Sequence, residues 1–184
     1  MINIIVLKGS HAEAYAKHLM IHAKESGIDG NTIHYPLSKL PNADNTKIEK
    51  CKIAWNTKPG IVGWSRVWGL LVDEEIVGHI RLKGESDLNE IHRCDLSIGL
   101  IKKFRRSGWG SRLMETAITW AREQEFLYWV DLNTSVANKS ALNLYKKFGF
   151  EEVGITKDRF RVQGERIDDV HMVLDLKNEN YLNR

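Results

Sequence analysis

Cysteine is scarce in this chain of 184 residues: only Cys51 and Cys94 occur, with no paired spacing. That excludes a disulfide framework and a four-ligand zinc site built on cysteines, and it fits a reducing, cytoplasmic setting. Proline is equally sparse, with three residues, which sets the composition apart from disordered and collagen-like chains. Long apolar runs are missing as well. Residues 4–7 form a short one with no basic residue before it, and nothing approaches the roughly 18 apolar residues of a membrane span. The expectation is a soluble, unexported protein with no membrane partner. Nor is one sign of charge in large excess. Lysine and arginine number 27 and aspartate and glutamate 24, a net charge of +3, unlike a chain built to coat nucleic acid.

What is present is a globular composition, 42% hydrophobic and 28% charged, at a length suited to a single domain over 1–184. Residues 1–7 read as a short buried strand. From His11, Ala12, Ala16, Leu19 and Ala23 recur at helical steps until Gly27. Residues 29–42 hold Gly30, Pro36 and Pro41 without a period, a loop long enough to serve as a substrate lid. Asp44 can cap a second helix with the apolar stripe Ile48, Cys51 and Trp55. Residues 67–72 and 76–82 then read as a hairpin around the acidic turn Asp73-Glu74-Glu75, taken as a solvated tip.

Over 95–101, Leu96, Ile98 and Leu100 alternate with Asp95, Ser97 and Gly99. One face is built for burial and the other is small and polar, as a cleft wall would be. A helix with Leu113, Met114, Ala117, Ile118 and Ala121 at core spacing follows, then an apolar strand over 127–132, a helix over 138–148 and strands over 150–156 and 169–176. Hairpins mixed with one crossover predict an α/β fold with a central mixed, mostly antiparallel sheet of about seven strands and helices on both faces.

Between the alternating strand and the next helix stands Arg105-Arg106-Ser107-Gly108-Trp109-Gly110. Backbone N–H groups and the positive end of a helix dipole can hold phosphate there. Lys102, Lys103, Arg105, Arg106 and Arg112 surround it, with no acidic residue between Leu96 and Met114. An anionic ligand is the reading, against a basic turn that merely caps a helix. A dinucleotide fingerprint is excluded because Leu113 stands where its third glycine belongs, and no Walker lysine follows.

A second motif runs Asn138-Lys139-Ser140-Ala141-Leu142-Asn143-Leu144-Tyr145-Lys146-Lys147-Phe148-Gly149-Phe150. Together, in this order and one helix and one strand apart, the two motifs resemble those of the GNAT superfamily of acyl-CoA-dependent N-acetyltransferases. The resemblance spans residues 64–176, an acyl-CoA-binding core, and leaves 1–62 as a variable acceptor-side region. It implies acetyl-CoA as co-substrate, with the pyrophosphate held by Arg105, Arg106, Ser107, Gly108, Trp109, Gly110 and Ser111, the pantetheine arm paired to the main chain at Leu100 and Ile101, Asn138 and Lys147 contributing from the second motif, and Tyr145 beside the sulfur. The tail from Asp158-Arg159-Phe160-Arg161-Val162 through Asp168-Asp169-Val170 is similar to that of the branch with ribosomal-protein N-terminal acetyltransferases and small-amine enzymes.

The chemistry implied requires a proton acceptor, since amines with pKa values of about 8 to 10.4 are mostly protonated at neutral pH. It also profits from a donor to the departing thiolate. Tyr145 is the candidate acid, although Ala141, Leu144, Tyr145 and Phe148 also form one helical stripe that would make it a core aromatic. Asn138 would serve equally as a helix cap. Asp95 is the candidate base, or a substrate anchor, with Glu90 and His92 as weaker alternatives. A backbone N–H near Leu100 would meet the oxyanion.

Trp55, Trp64 and Trp68 are either core or an aromatic wall for an amine. His18 and His22, four apart, lack a third ligand, so no metal is expected. The function expected is acetyl transfer to a primary amine of a small molecule or of a protein N-terminus or side chain, the alternative being a non-catalytic acyl-CoA-binding or sensing module. Edge strands of such a sheet would suit a homodimer.

Overall fold

Alternating and helical apolar patterns resolve into one seven-stranded sheet flanked by four helices in the computed structural model, which describes residues 1–28, 44–162 and 164–178. The lid expected over 29–42 lies outside the described residues. In chain order the elements are β1 (Ile2–Val6), α1 (Ala12–Lys24), α2 (Asn45–Asn56), β2 (Ser65–Val72), β3 (Glu75–Gly84), β4 (Arg93–Leu100), α3 (Trp109–Arg122), β5 (Trp129–Ser135), α4 (Lys139–Lys147), β6 (Glu151–Val162) and β7 (Glu165–Asp175). The sheet order is β1-β2-β3-β4-β5-β7-β6, and every pairing is antiparallel except β4 with β5. A parallel neighbour needs a crossover, and α3 supplies it.

The two faces carry separate apolar clusters. On one, Leu113, Met114, Ala117 and Ile118 of α3 are buried against Leu70, Ile80, Leu82, Leu96, Val130 and Met172 of the sheet. On the other, Tyr15 of α1 and Ile48 and Trp55 of α2 close over Leu7, Val67 and Ile76. The three tryptophans therefore do not form one wall. Trp64 and Trp68 pack on Trp120, with ring centroids 5.8 and 5.4 Å away, while Trp55 meets Tyr15 at 5.4 Å in the opposite cluster. All three are core.

Local chemistry sets the boundaries. Asp44 caps α2 by accepting the Lys47 N–H at 2.8 Å, as its position in the sequence suggests. The β2–β3 turn is two residues, Asp73 and Glu74, with φ of 47° and 71°. That left-handed pair matches the twist of a hairpin. The β6–β7 hairpin is longer than the sequence pattern indicates, because register shifts between Glu152 and Gly154 and between Thr156 and Phe160 interrupt the alternation that marks a strand.

Gly84 ends β3 against the buried Trp64, whose Nε1 would lie 2.1 Å from a Cβ placed there. The indole is fully buried and has no room to retreat. Gly84→Ala is expected to destabilise the fold by about 1–3 kcal/mol through overpacking, measured as a lower denaturation midpoint, and Trp64→Phe in the same chain is expected to recover part of the loss.

Candidate active site

β4 and β5 pair over only three residues, Arg93 with Trp129, Cys94 with Val130 and Asp95 with Asp131. Beyond that point β4 stays with β3 as far as Leu100, and β5 stays with β7 as far as Ser135. A gap opens between them. In an antiparallel pair successive residues turn their amides to opposite sides. The Ile101 N–H donates to the Val77 carbonyl at 3.0 Å, so the odd-numbered residues of β4 face β3. The amides of Ile98 and Leu100 consequently face the gap. Ile101, expected to share in a strand-like pairing with a ligand, has its N–H committed to β3. Ile98 was not singled out from the sequence, although counting by twos from Leu100 reaches it.

The loop after β4 turns sharply. Arg106 has φ of 57° and Gly108, the residue capping α3, has φ of 85°. The first intrahelical bond runs from Arg112 N–H to Gly108 C=O at 3.2 Å. The N–H groups of Trp109, Gly110 and Ser111 therefore point out of the helix end, where an anion is favoured. Lys102, Lys103, Arg106 and Arg112 are exposed around them, Arg112 lies 4.8 Å over the Trp109 ring, and Lys147 at the end of α4 reaches the Ser111 hydroxyl at 3.4 Å. Arg105 behaves differently from its neighbours. Its Nε donates to the Leu100 carbonyl at 2.7 Å and its guanidinium ion-pairs with Glu25 at 2.5 Å. Glu25 also accepts the Lys102 N–H at 2.8 Å. The positive field inferred from the local sequence thus contains one carboxylate brought in from the end of α1, and the Arg105 side chain braces the loop from within.

α4 begins at Asn138, whose side-chain oxygen accepts the Ala141 N–H at 3.3 Å. The capping role is therefore real. Tyr145, on the same helix, packs with its ring 5.8 Å from Phe150 and belongs to the core on the α3 side. Its hydroxyl makes no hydrogen bond among the described residues. Burial raises the phenol well above its ordinary range, and the charge of Asp95 raises it further, so the ring keeps its proton at neutral pH.

Asp95 lies half-buried at the last β4–β5 pair, on the face shared with Ser97 and Gly99. Burial pushes its carboxyl up while Arg81 pulls it down. Ile98 is three residues along the strand, roughly 10 Å at 3.3 Å per residue. His92 is about twice as far, and Glu90 stands exposed in the turn before β4, so neither is brought to the gap.

Three imidazoles occupy the α1 side of β3 and β4. His18 Nε2 and His79 Nδ1 are 2.9 Å apart in a buried hydrogen bond, and His22 stacks 6.2 Å from His18. A Cβ on Gly99 would lie 2.7 Å from His22 Cε1 and 2.8 Å from His79 Cε1, which is why this position is glycine. His18 spends Nε2 on His79, and no group of three metal-ligating side chains is placed together among the described residues. No helix among them is long and apolar enough to cross a membrane.

The description of the Acetyltransferase (GNAT) family matches residues 35–150. An N-alpha-acetyltransferase of Sulfurisphaera tokodaii is 33% identical over 94 residues, 47% of this chain and 56% of its own. An L-amino acid N-acetyltransferase of Escherichia coli is 29% identical over 105 residues, 55% of this chain and 62% of its own. The chain thus spans less than two thirds of the length of these curated relatives. In structure, an acetyltransferase of the same family from Streptococcus pneumoniae superposes with a TM-score of 0.81 over 95% of this chain and 99% of its own, at 19% identity.

Burial lowers His18 from 6.5 to about 4, and burial together with the neighbouring His18, His22 and Arg81 lowers His79 well below its ordinary value. Both bind a proton less readily folded than unfolded, so acid favours the unfolded chain. Stability is expected to be intact above pH 6.5 and to fall as pH drops from 6.5 towards 4, by roughly 3 kcal/mol for His18 alone. Melting curves across that range would measure it, and His18→Gln is expected to flatten the slope.

Proposed function

Because the chain belongs to the GNAT acetyltransferase family, we propose that it transfers the acetyl group of acetyl-CoA to a primary amine, on a small molecule or on a protein N-terminus or side chain. The observation that carries this reading is the gap beyond Asp95 and Asp131, where the outward amides of Ile98 and Leu100 lead from a cationic helix end to a protonated phenol and a carboxylate. Bound acetyl-CoA supplies the acetyl group and a thiolate leaving group. Its diphosphate suits the N–H groups of Trp109, Gly110 and Ser111 with Arg106, Arg112 and Lys147 around them, and Gly108 gives the turn its shape. Its extended arm suits the unpaired edge of β4 as a strand would.

Each side chain then has a defined task. The Leu100 and Ile98 N–H groups donate to oxygen that gains negative charge. Tyr145 holds a proton that it can give to sulfur, since its phenol stays neutral. Asp95 takes the proton of the incoming ammonium, directly or through one water, its own basicity raised by burial. Arg105 positions the loop through Leu100 and Glu25. A non-catalytic acyl-CoA binder would have no use for this donor and acceptor at the sulfur end of the groove.

Residues 64–176 hold the acyl-CoA in this reading and 1–62 shape the acceptor side. Exposed Ile2 and Val6 on the β1 edge and Val153 and Ile155 on the β6 edge support a homodimer, and the scarcity of cysteine supports a cytoplasmic setting.

Acetyl-CoA and desulfo-CoA are each expected to raise the melting temperature while NAD and ATP leave it unchanged; a ligand at about 100 times its dissociation constant adds roughly 2.7 kcal/mol. No shift with either CoA compound at millimolar concentration would overturn the ligand assignment. In a thiol-release assay Tyr145→Phe, which keeps the packed ring, is expected to lower kcat about 10²-fold or more with little change in acetyl-CoA affinity. Asp95→Asn is expected to lose more rate at neutral than at high pH, where the amine is already neutral; an equal loss at every pH would sink the base role.

A further inference from the structure

Arg81 stands on β3 directly opposite Ser97 of β4, and its neighbour Lys83 stands opposite Asp95. Arg81 and Asp95 are therefore diagonal neighbours on one face, the face that holds Gly99 and the three histidines. Their Cβ atoms are roughly 7–8 Å apart by the geometry of such pairs. The arginine side chain is long enough to carry its guanidinium to the Asp95 carboxylate at that spacing. The two do not bridge. Among the described residues neither Arg81 nor Asp95 makes an ion pair or a side-chain hydrogen bond, and the Arg81 Nε is buried with no acceptor. A buried donor without a partner is costly, and a ligand that supplies an acceptor removes that cost.

Among the described residues, the surroundings of Arg81 offer no substitute. Among these residues its charge acts on His79 of its own strand, Cys51 of α2 and Asp95 of β4. His79 is buried and already bonded to His18. Cys51 gives a thiol, a weak acceptor. Lys83 is exposed directly opposite Asp95 and adds a second cation. What this face presents, then, is the Arg81 guanidinium and the Asp95 carboxylate near each other and unspent among the described residues, with Lys83 and Glu85 close to Asp95.

We propose that Arg81 and Asp95 form a receptor for a zwitterion and that the acetyl acceptor is a free α-amino acid, its carboxylate on the Arg81 guanidinium and its amine directed to Asp95. This deepens the acetyl-transfer reading above and rests on it. A guanidinium fork matches a carboxylate in two parallel hydrogen bonds. The two bonds that separate amine from carboxylate in an amino acid fit between two tips held beyond ion-pair distance. A diamine would bring a second cation to Arg81, and a peptide N-terminus would bring an amide carbonyl where the guanidinium calls for an anion. Arg81 thus selects the acceptor, while Asp95 serves the proton transfer.

The test is thiol release from acetyl-CoA by the full chain with several amino acids, each offered as the free acid, as its amide and as the decarboxylated amine, together with a tripeptide. Free acids are expected to exceed the matching amides at least tenfold in kcat/KM. Arg81→Gln is expected to bring that ratio close to one, chiefly by raising KM for the free acid, with the dissociation constant for acetyl-CoA, read by calorimetry, within twofold of the parent. Arg81→Lys is expected to restore part of the preference. Amides or the tripeptide performing as well as free acids in the parent protein would overturn the amino-acid assignment and leave acetyl transfer standing. An equal loss on acids and amides in both Arg81 variants would overturn the receptor and make Arg81 a positioning residue for Asp95. No thiol release from any amine, with acetyl-CoA still bound, would overturn acetyl transfer and the receptor together.

Discussion

Everything at the candidate site follows from where two parallel strands stop pairing. β4 and β5 share three residue pairs and then part. Backbone amides on the inner side of a sheet are ordinarily satisfied by the next strand, and past Asp95 the β4 amides facing β5 have lost theirs. The gap is therefore a row of directed donors and acceptors whose complement is another extended chain. On the α3 side the gap is backed by a packed layer that includes Leu96, Leu132 and Tyr145.

The sequence made part of this legible and hid part of it, for physical reasons that differ by residue. The cationic turn at Gly108 and the cap at Asn138 are local signals, because a left-handed φ and a free helix end each demand particular residues within a few positions. The helix α3 was legible for the same reason: its five apolar positions recur at a fixed step, and all five are buried. The polar face of β4 was legible from strict alternation. By contrast, the ion pair of Arg105 with Glu25 joins residues 80 apart, and the bond of His18 with His79 joins residues 61 apart. No periodicity announces such meetings. For the tryptophans the core reading holds, but proximity in sequence does not say which face of the sheet a ring takes: Trp55 lies in one cluster and Trp64 and Trp68 in the other. The unspent state of Arg81 is invisible in a sequence, where every arginine looks equally able to find a carboxylate.

Charge at the site is arranged to be incomplete. Around the helix end, exposed cations outnumber the Glu25 carboxylate among the described residues, and that carboxylate is tied to the loop's frame. On the face of the three histidines, Arg81 and Asp95 lie near each other without joining. Burial then sets the protonation states: the phenol stays protonated, His18 and His79 stay neutral, and the carboxyl of Asp95 becomes a better base than one in water. None of these shifts needs a special residue. Each is the cost of withdrawing an ionisable group from solvent, directed by which groups stand near it.

The same parting of strands divides the sheet for folding. From β2 to β4 each strand lies beside its neighbour in the chain, and β5, β6 and β7 form a second group closed by the β6–β7 hairpin. Within each group the loops to be closed are short and the entropy lost in closing them is small. One long-range closure falls at the seam, where three residue pairs and the packing of α3 join the halves, and another pairs β1 with β2, Ile2 with Val72. A chain of this order can assemble two sheet fragments early and dock them late. The seam that leaves room for a ligand is then also the sheet contact whose opening requires the fewest residue pairs to part.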